Sequence, residues 1–333
     1  MKKEIKLTRS QLAIYADCLA DEKSTMYNTP FLGTIGKSVD TEKLIEAVNK
    51  TLAVHEALGA VLGRDNDGDP AFIIDEAQTV EVKTVTTEEF EKLKPNLVRP
   101  FIIGKDKLSR YEVYKTPDGD YIFYDLHHLI VDGTAHKVLA EDVAKAYNGG
   151  ELIAEKFDLA AAYENETGQR NSETFEKAKA YFDGILGGIE PDCLPSPDVY
   201  GETAEQGYFR KEFEIDAEKF KNLRHSLEIS TTSFFTAVIG FLIARYNFSG
   251  ESVINTTYSA RNEQNARTVS CLVRILPFVT QLDGKSSIAD FLKEQNRQVM
   301  KSRENSIYTL PDAAADYGLS YDINFAYQGR LHE

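Results

Sequence analysis

The chain has 333 residues, 42% of them apolar and 27% charged, with no long polar or low-complexity tract. That composition supports a large core, excludes disorder on a large scale, and at this length predicts about two domain-sized units. Asp and Glu total 53 against 38 Lys and Arg, a formal charge of −15, which repels phosphate backbones and anionic lipid heads and argues against nucleic-acid or membrane-surface binding.

In chain order, Thr8-Arg9-Ser10-Gln11 has capping-box spacing and opens a helix whose face carries Leu12, Tyr15, Ala16 and Leu19. A loop, Tyr27 to Pro30, leads to a predicted strand at Phe31–Ile35, and a second helix starts near Asp40 or Thr41 with Leu44, Ile45, Val48 and Leu52 at helical spacing. Asn66-Asp67-Gly68-Asp69 and Pro117-Asp118-Gly119-Asp120 each sit between apolar runs and predict hairpins, because Asx-Gly supplies the positive φ a tight turn needs. A helix follows at Thr134–Tyr147, stopped by Asn148-Gly149-Gly150, then two charged helices near Glu155–Glu164 and Glu173–Leu186. Gly187–Gly207 reads as a linker. Beyond it the pattern predicts a strand at Phe209–Ile215, helices at Ala217–Leu227 and Thr232–Tyr246, and strands at Ser252–Tyr258 and Arg274–Leu282. A helix at Ile288–Arg303 and a strand at Asp322–Tyr327 end the series. Mixed strands and helices in both halves imply two α/β or α+β units of related size.

No apolar segment follows the charged N-terminus, and the longest apolar stretch, Phe234–Tyr246, is too short to span a bilayer. Cys18, Cys193 and Cys271 form no C-x-x-C pair, which argues against a zinc ribbon or a dithiol site. A cytoplasmic, reducing location is expected.

The chemistry concentrates in His127-His128-Leu129-Ile130-Val131-Asp132-Gly133, at the end of the second strand of a hairpin. On a strand successive side chains face opposite ways, so the two histidines cannot jointly grip one metal ion, and no third ligand stands at the usual spacing. One histidine is expected to be structural and the other to face a cavity. Asp132-Gly133 taken alone is an N-cap and a turn. Two histidines followed by Asp-Gly at this spacing arise by chance in roughly one chain of this composition in two thousand, a low false-positive risk for a short motif. A neutral imidazole can accept a proton from an amine nucleophile, whose ordinary pKa lies at about 7.7–8.0.

Further segments fall into the same pattern: Leu7-Thr8-x-x-Gln11, Tyr27-Asn28-x-Pro30, Val54-His55-Glu56-Ala57-Leu58, Pro100-Phe101, Tyr258-Ser259-Ala260-Arg261 and Phe325-Ala326-Tyr327-Gln328. With the His-His-x-x-x-Asp-Gly signature, they make the whole chain resemble the condensation domains of nonribosomal peptide synthetases, members of the chloramphenicol-acetyltransferase-like superfamily. The resemblance implies an α/β (α+β) fold of two acetyltransferase-like halves in a V-shaped pseudodimer. Residues 1–168 would form the first half, 169–207 a connecting helix and linker, and 208–333 a partial second half, since family members continue further; the chain is expected to be C-terminally shortened. The implied function is an acyltransferase of antibiotic biosynthesis that joins carrier-bound acyl or peptidyl thioesters to aminoacyl acceptors. Its expected partners are donor and acceptor carrier proteins, bearing phosphopantetheine arms, and adjacent synthetase domains. No intrinsic cofactor and no metal are expected. The resemblance makes His128 catalytic, puts the Gly133 backbone amide near the thioester as an oxyanion donor, and makes His127 and Asp132 structural, with Arg261 of the second half as the partner of Asp132.

Departures from the family pattern are Ser270 in place of Gly, Arg274 in place of Asn and Gly59 in place of Arg. Ser270 and Arg274, with the expected short C-terminus, favour the alternative of a catalytically silent module that binds a carrier protein. A coenzyme A-dependent relative is disfavoured because its Trp-containing segment has no counterpart in a chain without Trp. An epimerization domain is disfavoured because Asp132-Gly133-Thr134-Ala135-His136 lacks the usual Ser-Trp continuation. Ester formation or cyclisation stays open, since histidine chemistry does not distinguish an amine from a hydroxyl. Cys271 reads as a small buried apolar residue; His55, His136, His225 and His332 read as surface or core residues.

Overall fold

The computed structural model describes residues 3–74, 76, 78–189, 207–319 and 323–329. Most of the predicted linker (190–206), Cys193, Asp322 and His332 lie outside the described residues. The chain divides into two compact units, one of Met1–Gln169 with Ser259–Val273, the other of Arg170–Tyr258 with Arg274–Glu333.

In the first unit the local signals act as the chemistry requires. Thr8 caps α1 (Arg9–Ala20) through a reciprocal pair, with the Gln11 amide donating to Thr8 Oγ1 and the Thr8 amide to Gln11 Oε1. Asp40 caps α2 (Thr41–Val54) by accepting from the Lys43 amide. Two sheets, one antiparallel and one mixed, carry the strands. One has the order β1-β4-β3, from β1 (Lys3–Lys6), β3 (Ala60–Arg64) and β4 (Pro70–Ile74), with Gly68 of the β3–β4 turn at φ +88°. The other has the order β2-β7-β6-β5, from β2 (Asn28–Thr34), β5 (Glu81–Thr84), β6 (Ser109–Thr116) and β7 (Gly119–His127); within it only β5 and β6 run parallel. α3 (Thr87–Leu93), α4 (Gly133–Tyr147) and α5 (Leu159–Arg170) complete the elements.

Alternation along β6 and β7 divides the core. Tyr111, Val113 and Leu126 pack with Val48 and Leu52 of α2 and Val138 and Leu139 of α4. Tyr114 and Phe123, on the opposite face, pack with Phe90 of α3. The hairpin therefore carries a cluster on each face, and its far end, where the histidines sit, is held between α1, β2 and the start of α4.

The second unit contains α6 (Glu173–Leu186), α7 (Ala217–Leu227), α8 (Thr231–Tyr246), β8 (Glu251–Ser259), β9 (Val273–Gln281), α9 (Ile288–Glu304), α10 (Leu310–Tyr317) and β10 (Asn324–Phe325), with sheet order β10-β8-β9. Phe182 stacks on Tyr308 with ring centroids 5.2 Å apart, and Arg170 holds Asp312 through two bonds of 2.8 and 3.0 Å. The strand predicted at Phe209–Ile215 does not form. Its alternating pattern is real, but a strand needs a neighbour to take its backbone groups. No described strand pairs with it, and Phe209 and Phe213 are exposed. No single helix among the described residues is long and apolar enough to cross a membrane.

Candidate active site

The site is built where β7 ends and α4 begins, and every group named here belongs to the first unit. His127 is buried at 4% exposure. Its Nδ1 accepts the Leu129 amide at 3.1 Å, its Nε2 faces Cys18 Sγ at 3.5 Å, and Phe101 meets its ring edge-on at 5.5 Å. An accepting Nδ1 puts the proton on Nε2, so neither nitrogen is available to a substrate. Burial, with help from charge on His128 and Arg110, lowers the His127 pKa to about 4, which keeps the ring neutral.

His128 is placed differently. Its amide donates to Tyr27 O at 2.8 Å, its ring is half-buried, and Nδ1 lies 3.5 Å from Cys271 Sγ. Among the described residues Nε2 has no hydrogen-bond partner. Cys271 is buried, and desolvation together with the nearby Asp132 charge pushes its thiol up to about 12, so the group is a neutral S–H. Two arrangements follow. Either the thiol donates to Nδ1 and Nε2 carries the proton, or Nδ1–H points at sulfur and the Nε2 lone pair is open to accept one. Only the second makes His128 a base.

Asp132 has no spare capacity. Oδ1 accepts the Ala135 amide at 2.8 Å, which caps α4, and Arg261 Nη2 at 2.8 Å; Oδ2 accepts Arg261 Nε at 3.3 Å and the Leu272 amide at 3.0 Å. Arg261 also donates to the Thr268, Asn265 and Ser270 carbonyls at 2.8, 3.1 and 3.1 Å. The pair thus ties the helix start to the 259–273 segment, through a forked guanidinium that lysine could not reproduce. Gly133, exposed at the first position of α4, carries one of the four amides that have no partner within a helix.

Sequence reasoning missed several supporting groups. Gln11 is 2% exposed, and its Nε2 donates to Leu129 O at 2.9 Å and reaches Ser270 Oγ at 3.5 Å. The capping pattern located Gln11, but no pattern in one sequence shows that its amide also reaches the histidine loop. Ser270, one of the departures, is buried against it. His55 is enclosed between Glu155 and Asp142, the latter 2.9 Å from Nε2, and Asp142 also accepts from Arg267 at 2.5 Å. Burial acts to lower the His55 pKa, but the two carboxylates outweigh it and raise it. The Val269 amide reaches Glu155 at 3.4 Å, and Thr268 Oγ1 donates to Phe157 O at 2.6 Å. The 259–273 segment, read from sequence as part of the second half, is therefore fastened into the first unit at several points. Among the described residues no group of His, Cys, Asp or Glu stands together as a metal site.

Residues 1–322 match the family described as Condensation domain. The chain belongs to that family. Bacitracin synthase 3 of Bacillus licheniformis is 23% identical over 335 residues, covering 97% of this chain but 5% of the synthase, so the chain spans a small part of that relative. Among solved structures, the first condensation domain of the calcium-dependent antibiotic synthetase superposes with TM-score 0.74 at 18% identity, covering 97% of this chain and 80% of that one. The epimerization domain from the third module of tyrocidine synthetase B gives TM-score 0.77 at 16% identity, covering 99% and 83%. At these identities the structures establish the shared fold, a mixed helix-and-sheet condensation-domain fold; what the site does has to come from its residues.

Proposed function

We propose that this condensation domain joins an acyl or peptidyl thioester, held on one carrier protein, to the amino group of an aminoacyl thioester held on another. The amine nitrogen attacks the thioester carbon, the C–N bond forms, the C–S bond breaks, and the carrier's pantetheine thiol leaves with a proton. His128 is the group that accepts or positions the amine proton, and Gly133 N–H is a donor to the developing oxyanion. The observation that carries this reading is the contrast within the pair: both ring nitrogens of His127 are engaged, whereas His128 keeps Nε2. His127, Asp132 and Arg261 serve as scaffold. The partners are donor and acceptor carrier proteins with their phosphopantetheine arms, alongside adjacent synthetase domains. The layout that goes with the reading is a first half at 1–168, a connector at 169–207 and a second half at 208–333 that lends residues 259–273 to the first unit. The free thiols of Cys18 and Cys271 fit a cytoplasmic setting.

The test supplies acyl- and aminoacyl-loaded carrier proteins to the protein and to His128→Ala. General acid–base help amounts to about 10²–10⁴-fold, so a loss of that size is expected. A variant that condenses as fast as the parent removes His128 from the mechanism. Binding of a loaded carrier with no transfer by either protein points instead to the silent module that Ser270 and Arg274 brought into view.

A further inference from the structure

His55 takes no part in the chemistry above, but its surroundings connect it to the groups that do. It stands at the C-terminal cap of α2 and is buried. Nδ1 faces Glu155 Oε2, in the stretch before α5, and Nε2 lies 2.9 Å from Asp142 Oδ2 of α4. An ionised carboxylate only accepts, so both ring nitrogens carry protons and the ring is an imidazolium. Beyond it, Arg267 Nη2 donates to Asp142 Oδ1 at 2.5 Å and Nη1 to the exposed Glu141 at 3.0 Å. Glu56, next in the chain, is held by Lys3 instead. Glu155 and Asp142 are thus the charged groups that meet His55 among the described residues. With Arg267 they make a set in which two positive charges face two negative ones.

The same two carboxylates fasten residues 259–273. Glu155 Oε1 accepts the Val269 amide at 3.4 Å, and Asp142 holds Arg267. Further along, that segment puts Cys271 Sγ 3.5 Å from His128 Nδ1 and the Leu272 amide 3.0 Å from Asp132 Oδ2. Taking the proton from His55 leaves one ring N–H for two carboxylates and an unbalanced negative charge out of water, which is costly. Resting on the amide-forming reading above, we propose that His55 is a positioning residue: as an imidazolium it clamps Glu155 and Asp142, and through them holds Cys271 and Leu272 against His128 and Asp132. Burial acts to lower the His55 pKa, but the carboxylates outweigh it and raise it. The clamp is therefore complete below the ordinary imidazole value and is lost as pH rises through the raised one.

Single-turnover transfer by the intact protein, with saturating acyl- and aminoacyl-loaded carriers, should decline on the alkaline side. Glu155→Gln keeps an acceptor for the Val269 amide but removes a counter-charge, and should move that decline to lower pH. Arg267→Gln, at an exposed position, removes a cation that competes for Asp142 and should move the decline to higher pH. His55→Gln should abolish the decline and slow transfer about 10²-fold at neutral pH, with carrier affinity unchanged. A purely structural role slows the variants without opposite shifts, and a decline that both charge variants leave in place overturns the proposal. Hydrogen exchange of residues 262–273, corrected for the intrinsic rate at each pH, reads the clamp without the chemistry. Protection there should fall with the same titration while β7 stays protected; protection indifferent to pH and to His55→Gln overturns the proposal. Protection that follows the titration in a protein that transfers to no amine would leave the clamp standing and remove the amide-forming reading.

Discussion

Arg261→Met removes the cation that holds Asp132, a carboxylate 2% exposed whose oxygens lie 2.8 and 3.3 Å from the guanidinium. Stranding one member of a buried ion pair costs about 3–5 kcal/mol. Arg261 also serves four backbone carbonyls of the 259–273 segment, and each lost bond adds about 1 kcal/mol, so the upper end of that range is expected. Asp132→Asn should cost less, about 3 kcal/mol at the lower end, because its carbonyl oxygen can still take the Ala135 amide and Arg261 keeps its four carbonyls. In the double variant no charge is stranded. Its loss should therefore fall short of the sum of the two by roughly 1–3 kcal/mol, the coupling of residues in direct contact. Urea unfolding of the four proteins measures this, with stability read from the midpoint at constant slope. Additivity within about 0.5 kcal/mol would mean that the ion pair does not fasten the segment, and the account of Asp132 as scaffold would fall.

The two engaged histidines should give stability opposite pH dependences. His127 is depressed to about 4 in the fold, so its contribution is complete above about pH 6.5 and is lost as pH falls through 6.5 toward 4, at most about 3 kcal/mol; His127→Asn should flatten that acidic limb in urea midpoints taken across pH. His55 is raised, so its contribution is complete below its unfolded value and fades as pH rises through its folded value. His55→Gln should flatten that limb and leave the acidic one unchanged, and the reverse result would refute the assignment of its carboxylate partners. Cys271→Ala removes the only group that meets His128 Nδ1 among the described residues and should move the acidic limb of the kcat/KM profile by roughly half a pH unit, equivalent to one weak hydrogen bond. An unchanged profile would show that the sulfur contact does not select the tautomer.

The site was legible in part, and the parts divide by range. The His-His-x-x-x-Asp-Gly run, the capping of α1 and the two hairpin turns are short-range patterns, and each forms close to where its residues predicted. The pairing of Asp132 with Arg261 came from family resemblance and not from any period in the chain, since 129 positions separate the two residues. Gln11 reaching Leu129, and His55 enclosed between Glu155 and Asp142, had no such guide and were missed. Phe209–Ile215 failed in the other direction, because alternation describes a strand's faces and does not supply its neighbour.

The sequence by itself determined which elements form around the histidines, which residue caps α4, and that the chain carries the signature of its family, because these depend on groups a few residues apart along a regular backbone. Only the tertiary structure decided which histidine keeps a ring nitrogen and that residues 259–273 are fastened into the first unit. Those outcomes depend on side chains more than 80 positions apart meeting within hydrogen-bond range, and a meeting at such separation has no periodicity to betray it.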